Sequence, residues 1–545
     1  MKLLLKLLFS LVLLLLVVIV LGYVTLRTHW GITTACRWIS DATAYHLSIQ
    51  RLTHDWADPF TIELEKVTFG EDGQPALLMA DTLSLTLSGR QLVTPSHFSQ
   101  ISIEQGTLVL SNLTPETTLP FSADHLLLQG VKLLNPYPTN CLSAEKLDGQ
   151  LSPWQPSQQA LLGKKFRFNF SAAGVQVANH QFDTLAAQGD KDQQRLNINQ
   201  ISGAIERGTF AGKLSRTAEG KWQVPQLQLD NIRFQTTKPL AAVLSPALLR
   251  DTTLQNIAVN HLSIVGPDWV INDLSATGQN LTGDSSSTGH LSLDAQSLVL
   301  GTEFWSQPHL SLNMNNGDIT LNQFNVGWAK GTISARGQWQ KKTGSLTLEE
   351  LNLRDIHYTL PTTWRQFLQT KLPEPISAIK IERLSMDNGL LIDINPEFPF
   401  QMTATHITGA QLLVAQHHQW GLWAGDAEYY AAATTFNRQD VRALWFKLNA
   451  NNQTVAMREI KGIVEGGPVV GQLEISQSAA HPFSLELRGE NVAYHALNHW
   501  FWSRPLSGKG RFSLQLKGDY PSLTTGLSQL EGEFNTPSFT QQLTH

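Results

Sequence analysis

The chain is poor in the features that mark most enzymes and disulfide-stabilised proteins. Its 545 residues include two cysteines, Cys36 and Cys141, and no CxxC pair, which excludes a disulfide framework. The sequence leaves open whether these two thiols pair or stay separately buried. There is no GxSxG motif, and no GxGxxG motif opens a helix, so a nucleophile elbow and a dinucleotide fingerprint are both missing. We therefore expect a protein that is not an enzyme and has no catalytic residues, metal site or cofactor.

Charge is also scarce. Charged residues make up 16% of the chain and the net charge is -5, against roughly 25% charged residues in an average soluble domain. Such a mild balance argues against nucleic acid as an electrostatic partner. The polar surface must come largely from serine, threonine, asparagine and glutamine.

Histidine pairs are the nearest approach to a metal site. His495 and His499 are four residues apart on a predicted helix, but Ala496 stands where a zinc hydrolase needs a glutamate. His417 and His418 lie in a predicted strand, where neighbouring side chains point to opposite faces. Neither pair predicts a metal centre.

What the chain does have begins at its amino terminus. After Lys2 and Lys6 an apolar run extends from residue 7 to 26, and twenty helical residues span roughly 30 Å, the thickness of a bilayer's hydrocarbon core. No cleavage site of small residues follows the run. We expect residues 1–27 to form a cytoplasmic N-terminus and an uncleaved transmembrane anchor, with the rest of the chain exported. The predicted anchor residues are Leu7, Leu11, Leu15, Ile19, Tyr23 and Leu26.

Beyond residue 45 the dominant pattern has a period of two. Runs such as "LSLTLSG" at 83–89, "FSLELRG" at 483–489 and "FSLQLKG" at 512–518 alternate apolar and polar residues and close on glycine. Strict alternation is typical of a strand with one dry and one wet face. Turn residues between runs, among them Gln105-Gly106 and Asp387-Asn388-Gly389, predict chain reversals. The pattern indicates a long antiparallel meander.

Helical segments are few and short. They are predicted at 32–43, 238–250, 362–372 and 494–502, between β-rich blocks at roughly 45–237, 251–361, 373–493 and 503–545. No low-complexity linker separates the blocks. We expect one continuous body over residues 28–545, built from a repeating unit of several strands that is entered through a short helix or loop.

Several stretches together resemble the AsmA family of Gram-negative envelope proteins. They include "LRTHWGITTACRWIS", "IELEKVTFGEDGQPALLMADTLSLTLSGRQL", "GPDWVINDLS", "LLIDINPEFPFQMTA" and "WGLWAGDAEYYAAATTFNR", and "LSGKGRFSLQLKGDYPSLTTGLSQLEGEF" is similar to a C-terminal pattern of that family. The resemblance covers nearly the whole chain. It implies a single-pass inner-membrane protein with its bulk in the periplasm, folded as a mainly β, long, curved, repeating antiparallel groove.

The resemblance also implies a function. Proteins of this family look like bridge-like lipid carriers, so we expect a role in phospholipid transport between the inner and outer membranes or in outer-membrane homeostasis. The expected partners are a phospholipid or other envelope lipid, the inner membrane, and a periplasmic or outer-membrane protein, but no nucleic acid. The candidate groove-lining residues are Leu83, Leu85, Leu87, Ile101, Ile103, Leu108, Leu110, Leu310, Leu312, Ile379, Ile381, Phe483, Leu485, Leu487, Phe512, Leu514 and Leu516.

Two other functions fit the same pattern. Exposed strand edges could bind outer-membrane proteins during their assembly by β-augmentation. Alternatively, Trp420, Trp423, Trp500 and Trp502 could line a sugar groove, as in a glycan-binding or glycan-cleaving protein. Both remain alternatives at the level of the sequence.

Overall fold

A computed structural model defines the fold of most of the chain. The structure describes residues 13–14, 17–18, 20–25, 27–89, 93–109, 119, 121–135, 142–157, 160–177, 180–244, 250–283, 287–396, 398–478, 481–497, 507–519, 527–537 and 540–544. The chain divides into two compact units. Unit 1 consists of Met1–Phe234 and Leu249–Ser263, and unit 2 of Gln235–Leu248 and Ile264–His545.

Strands dominate both units, as the alternating sequence predicts. The first fourteen strands are β1 (Tyr45–Ser48), β2 (Arg51–His54), β3 (Thr61–Glu71), β4 (Leu78–Leu87), β5 (His97–Val109), β6 (Ser122–Leu134), β7 (Leu142–Ser152), β8 (Lys165–Val177), β9 (His180–Asp192), β10 (Arg195–Ile205), β11 (Gly208–Arg216), β12 (Trp222–Asp230), β13 (Arg233–Gln235) and β14 (Thr252–Val265). The next nine are β15 (Trp269–Thr282), β16 (Gly289–Asp294), β17 (Ser297–Leu300), β18 (Glu303–Asn315), β19 (Asp318–Trp328), β20 (Gly331–Gln340), β21 (Ser345–Arg354), β22 (His357–Thr359) and β23 (Ala378–Asp393). The last nine are β24 (Phe400–Gln416), β25 (Gln419–Phe436), β26 (Gln439–Ala450), β27 (Thr454–Val464), β28 (Gly467–Ser476), β29 (Pro482–Ala493), β30 (Lys509–Asp519), β31 (Leu527–Asn535) and β32 (Thr540–Thr544).

Helices are few in the described part of the chain. Besides the helical residues 13–14, 17–18 and 20–25, they are α1 (His29–Ala42), α2 (Leu240–Val243), α3 (Trp364–Phe367) and a 3-10 turn at Tyr494–Leu497. The helix predicted at 32–43 is confirmed as α1. Its first turn is capped by the Thr28 hydroxyl, which accepts a hydrogen bond from the Gly31 N–H at 3.1 Å. Of the other predicted segments, 362–372 holds a single helical turn, and the described residues of 238–250 and of 494–502 each show one turn.

The predicted anchor lies mostly outside the described residues. Leu7, Leu11, Leu15, Ile19 and Leu26 are not among them, whereas Tyr23 lies in a helical stretch at 20–25. Within the described part of the chain, no helix has the length and apolar character needed to cross a membrane.

Several hairpins close on two residues that both have positive φ. These turns are at 206–207, 329–330, 417–418 and 437–438, and paired positive φ values are typical of the type I′ turn that matches strand twist. The prediction that His417 and His418 lie in a strand is therefore wrong. With φ of 53° and 61° they form the turn between β24 and β25.

Other positive-φ residues bend a strand without reversing it. Gln105 has φ 48° inside β5, and Asn388 has φ 54° inside β23. Both segments were predicted as turns, and that prediction is wrong because a single left-handed residue within a paired strand produces a bulge, whereas a tight hairpin reversal usually needs two. The bulge also switches which side-chain parity faces the apolar side, so Ile103 and Leu108 both lie there.

The sheets are mixed, which corrects the prediction of a purely antiparallel meander. Most neighbours are antiparallel, but β5–β6, β12–β14, β21–β23 and β22–β23 are parallel. Parallel neighbours need a connection that returns the chain to the starting end of the strand. The predicted helical segments at 238–250 and 362–372 belong to two such connections.

The uninterrupted antiparallel runs differ in length between the two units. In unit 1, β6 to β12 are joined by six successive antiparallel steps before the parallel pair β12–β14. In unit 2, β23 to β32 are joined by nine. The seven strands of the unit 1 run bring the chain out at the end opposite to its entry, so a long return connection precedes β14.

Candidate functional site

One row of apolar side chains crosses the strands of unit 1. In register order it runs through Leu52, Leu64, Leu83, Ile103, Leu128, Gly149, Phe170, Ala187, Ile201, Gly212, Leu227 and Ile257. Each residue is the direct cross-strand partner of the next, so the side chains lie on one face of the sheet. We call this set the unit 1 row.

Unit 2 carries a longer row of the same kind. It runs through Ala276, Leu293, Leu310, Phe324, Ala335, Leu351, Leu384, Gly409, Ala427, Leu448, Met457, Leu473, Leu485, Leu516 and Leu530. No polar residue interrupts it in any strand that it crosses. We call this set the unit 2 row.

Most of the predicted groove-lining residues lie on these rows or beside them. In unit 1, Leu83 pairs with Ile103 and Leu85 with Ile101, while Leu108 pairs with Leu78. Leu87 is 36% exposed at the end of β4. Leu110 lies outside the described residues.

The unit 2 predictions follow the same register. It pairs Leu310 with Leu293, Leu312 with Leu291, Ile379 with Leu346, Ile381 with Leu348, Phe483 with Ile475, Leu485 with Leu516, Leu487 with Leu514, and Phe512 with Gly489 and Phe534. The shared face is therefore an observation, whereas contact with a lipid stays a prediction.

The rows are half-buried over most of their length. Leu293, Leu351 and Leu384 are half-buried, while neighbouring polar residues such as Ser385 and Glu474 are exposed. A leucine inside a closed core would be almost fully buried. The apolar face of these strands is thus incompletely covered by the described part of the chain.

The carboxyl-terminal end is different. Phe483, Phe512, Leu514 and Leu516 are 1–5% exposed, and they pack in one cluster with Val492, Tyr494, Ala496, Leu530 and Phe534. The Tyr494 hydroxyl hydrogen-bonds the Arg511 and Asn535 carbonyls at 2.6 Å each. Here the leucines of the alternating runs serve as interior packing.

A second buried cluster, in unit 1, surrounds Leu126, Val131, Leu151 and Trp154.

A connection in unit 2 contacts the apolar face. The carboxylate of Asp393, a residue that is 3% exposed, accepts hydrogen bonds from the Trp364 indole at 3.1 Å and the Arg365 guanidinium at 2.9 Å. The Phe367 ring lies 5.6 Å from that of Trp420, and Trp420 pairs with Ala415 beside Ile379. The segment around α3 therefore forms a strap over this part of the face.

An aromatic corner lies at one end of β18 and β19. The rings of Trp305 and Trp328 stack with centroids 5.6 Å apart, and Tyr358 lies 4.4 Å from Trp328. Glu303 accepts from the Trp328 indole at 2.8 Å and from the Tyr358 hydroxyl at 3.3 Å. This group is not predicted from the sequence, because its members come from three strands and no spacing along the chain connects them.

Exposed aromatic residues are frequent near the amino terminus. Trp30 and Trp38 of α1 are 71% and 81% exposed, and Trp56 and Phe60 are 77% and 64% exposed. The opposite side of α1 is buried through Ile32 and Cys36, and burial raises the pKa of the Cys36 thiol. Cys36 is a free thiol in the described structure, and Cys141 lies outside the described residues. Exposed tryptophans are typical of surfaces at a membrane interface.

A buried histidine with polar neighbours lies where β5 and β6 begin. His97 is 7% exposed, and its Nδ1 lies 2.9 Å from the Ser122 hydroxyl, with Asp124 at 3.3 Å from Nε2. His97 and Ser122 are register partners of the parallel pair, so their bond ties the first position of these two strands. No group of three or more metal-ligating side chains occurs in the described residues.

Of the four tryptophans considered for sugar binding, two are among the described residues. Trp420 and Trp423 are half-buried, and the first contacts the strap. Trp500 and Trp502, like His499, lie outside the described residues.

Comparison with known proteins places the chain beside one curated relative. It is 34% identical over 525 residues to "AsmA family protein YicH" of Escherichia coli (strain K12), which covers 94% of this chain and 91% of that protein. No protein-family model and no solved structure matches the chain.

Proposed function

The chain belongs to the AsmA family, and we propose that it holds lipid acyl chains on its apolar face and contributes to phospholipid transport between the inner and outer membranes or to outer-membrane homeostasis. In this proposal it is anchored in the inner membrane by residues 1–27 and works in the periplasm. It acts by binding, not by catalysis.

The unit 2 row is the observation that supports the proposal best. From Ala276 to Leu485 the row is half-buried throughout, and its twelve steps between neighbouring strands, at about 4.8 Å each, correspond to roughly 58 Å along the sheet. Burying an acyl chain of about 16 carbons is worth on the order of 12 kcal/mol, at about 0.8 kcal/mol per CH₂ group. A lipid therefore needs a continuous apolar surface to leave a bilayer at a useful rate. A row without polar interruptions supplies such a surface.

The amino-terminal features support the anchored arrangement. The apolar run at 7–26 leads into α1, whose Trp30 and Trp38 are exposed. Tryptophan prefers the boundary between lipid and water because its ring is apolar and its N–H is polar. The proposal seats α1 at the membrane surface, with the strands extending from it.

Photo-crosslinking to lipid tests the proposal. A benzophenone amino acid placed at Leu473, in the unit 2 row, should crosslink phospholipid when the full-length protein is expressed in a Gram-negative envelope. The matched control is Glu474, the next residue, which is exposed on the opposite face. Crosslinked lipid would be identified by mass spectrometry. Equal lipid labelling at the two positions, or none at Leu473, would refute the assignment of this face.

A further inference from the structure

The aromatic corner formed by Glu303, Trp305, Trp328 and Tyr358 shares its face with the unit 2 row. Phe324 of the row and Trp328 are four residues apart in β19, and their register with β20 runs without a shift between them. Alternation therefore puts both rings on the same side. The separation along the strand is about 13 Å, close to the roughly 15 Å of one leaflet's hydrocarbon layer.

Glu303 is held as an oriented negative charge. One carboxylate oxygen accepts the Trp328 indole N–H and the other accepts the Tyr358 hydroxyl. Within the described residues, no lysine, arginine or histidine nitrogen lies within 4.0 Å of it, since none of the ion pairs includes Glu303. Burial and the Glu303 charge raise the pKa of Tyr358, so the phenol stays protonated as a donor.

Trp305 adds an unsatisfied donor. Its indole Nε1 is buried and has no hydrogen-bond partner in the described structure. Leaving a buried donor unpaired is costly, and a ligand that carries an acceptor oxygen, as a phospholipid does in its phosphate and esters, would satisfy it. All four side chains of the corner are half-buried, so the group is reachable from one side.

We propose that this corner binds the ammonium group of a lipid headgroup, such as the ethanolamine of an aminophospholipid. An organic cation is attracted to the faces of tryptophan and tyrosine, and a nearby carboxylate adds an ion pair. The acyl chains of the same lipid would extend from the corner along β19 toward the unit 2 row. This inference rests on the proposed function and deepens it by naming the headgroup class.

The test compares lipids that differ only in the headgroup. Full-length protein in detergent is equilibrated with mixed micelles of phosphatidylethanolamine and phosphatidylglycerol that carry identical acyl chains, and the bound lipid is quantified by mass spectrometry. We expect a preference for the ethanolamine lipid of about tenfold, the size of a cation–π and ion-pair contribution. The variant Glu303→Gln should reduce the preference to about one, while Glu349→Gln, which removes an exposed carboxylate of β21, should keep it.

A second measurement needs no variant. N-acetylated phosphatidylethanolamine has the same chains and no ammonium charge, so wild-type protein should lose its preference for it over the glycerol lipid. Equal binding of ethanolamine and glycerol lipids, or an undiminished preference in Glu303→Gln, would overturn the ammonium site and leave the proposed function standing. A failure to retain any lipid would overturn both. A lysine-rich peptide is the alternative source of an ammonium group. If the peptide binds wild-type protein but not Glu303→Gln, and lipid retention is unaffected, the corner binds a protein ammonium and the lipid assignment is overturned.

Discussion

The substitution Leu384→Asp probes the apolar face most directly. Leu384 lies in the unit 2 row between Leu351 and Gly409 and is half-buried. A carboxylate there removes the contact of about four CH₂ groups, worth roughly 3 kcal/mol, and must also be desolvated when an acyl chain passes over it. A local loss of about 3 kcal/mol corresponds to a binding constant weaker by more than a hundredfold.

The neighbouring substitution Ser385→Asp is the matched control. Ser385 is exposed on the opposite face, so the same charge one residue away should change the free energy of unfolding by no more than about 0.5 kcal/mol and leave lipid contact intact. Both variants would be compared by the lipid retained per protein and by urea unfolding.

The decisive quantity is lipid retained at equal folded fraction. We expect Leu384→Asp to retain much less lipid than Ser385→Asp, because only the first puts charge beneath an acyl chain. If the two variants retain lipid equally while both stay folded, the unit 2 row is not the lipid-contacting surface and the reasoning from its register is wrong.

Two other changes test the features around the face. Arg365→Met should lower the free energy of unfolding by about 3 kcal/mol, because it removes the charged partner of the buried Asp393 carboxylate. The control is Arg383→Met. The Arg383 guanidinium lies 4.0 Å from Glu350 on the surface, so this change should lower the free energy of unfolding by less than about 1 kcal/mol in the same urea titration. The Gly130 N–H donates to the Asp148 carboxylate at 2.7 Å and lowers the pKa of that carboxyl. The contribution of this bond to stability is present above the ordinary aspartate pKa and is lost as pH falls through the folded-state value. Asp148→Asn should therefore unfold at a lower temperature than wild type at pH 7 and at the same temperature near about pH 2, and a difference that persists undiminished in acid would contradict this cause.

Much of the strand content follows from local pattern alone. The runs at 83–89, 483–489 and 512–518 alternate so strictly that each admits only a one-sided strand, and α1 has its helical spacing and its Thr28 cap in the sequence. By contrast, Gln105 and Asn388 look like turn residues but form bulges, because the choice between a bend and a reversal depends on whether a neighbouring strand continues to pair on both sides.

For the candidate site, too, the sequence predicts some features and leaves others undecided. Leu83, Leu310 and Leu485 could be identified as apolar-face residues from alternation. The sequence could not distinguish them from Phe512 and Leu516, which are buried in the carboxyl-terminal cluster, because local alternation is identical in an open face and a closed core.

The sequence by itself determined the period of two and hence a β-rich chain with one apolar face, since alternation acts within a single strand. It also carried the relationship to the AsmA family. Only the tertiary structure decided which strands are neighbours, where parallel pairs interrupt the antiparallel runs, and that single residues of many strands align into the two apolar rows. Glu303, Trp328 and Tyr358 show the reason: they meet through cross-strand register and a returning connection, and neither is encoded in the spacing of residues along the chain.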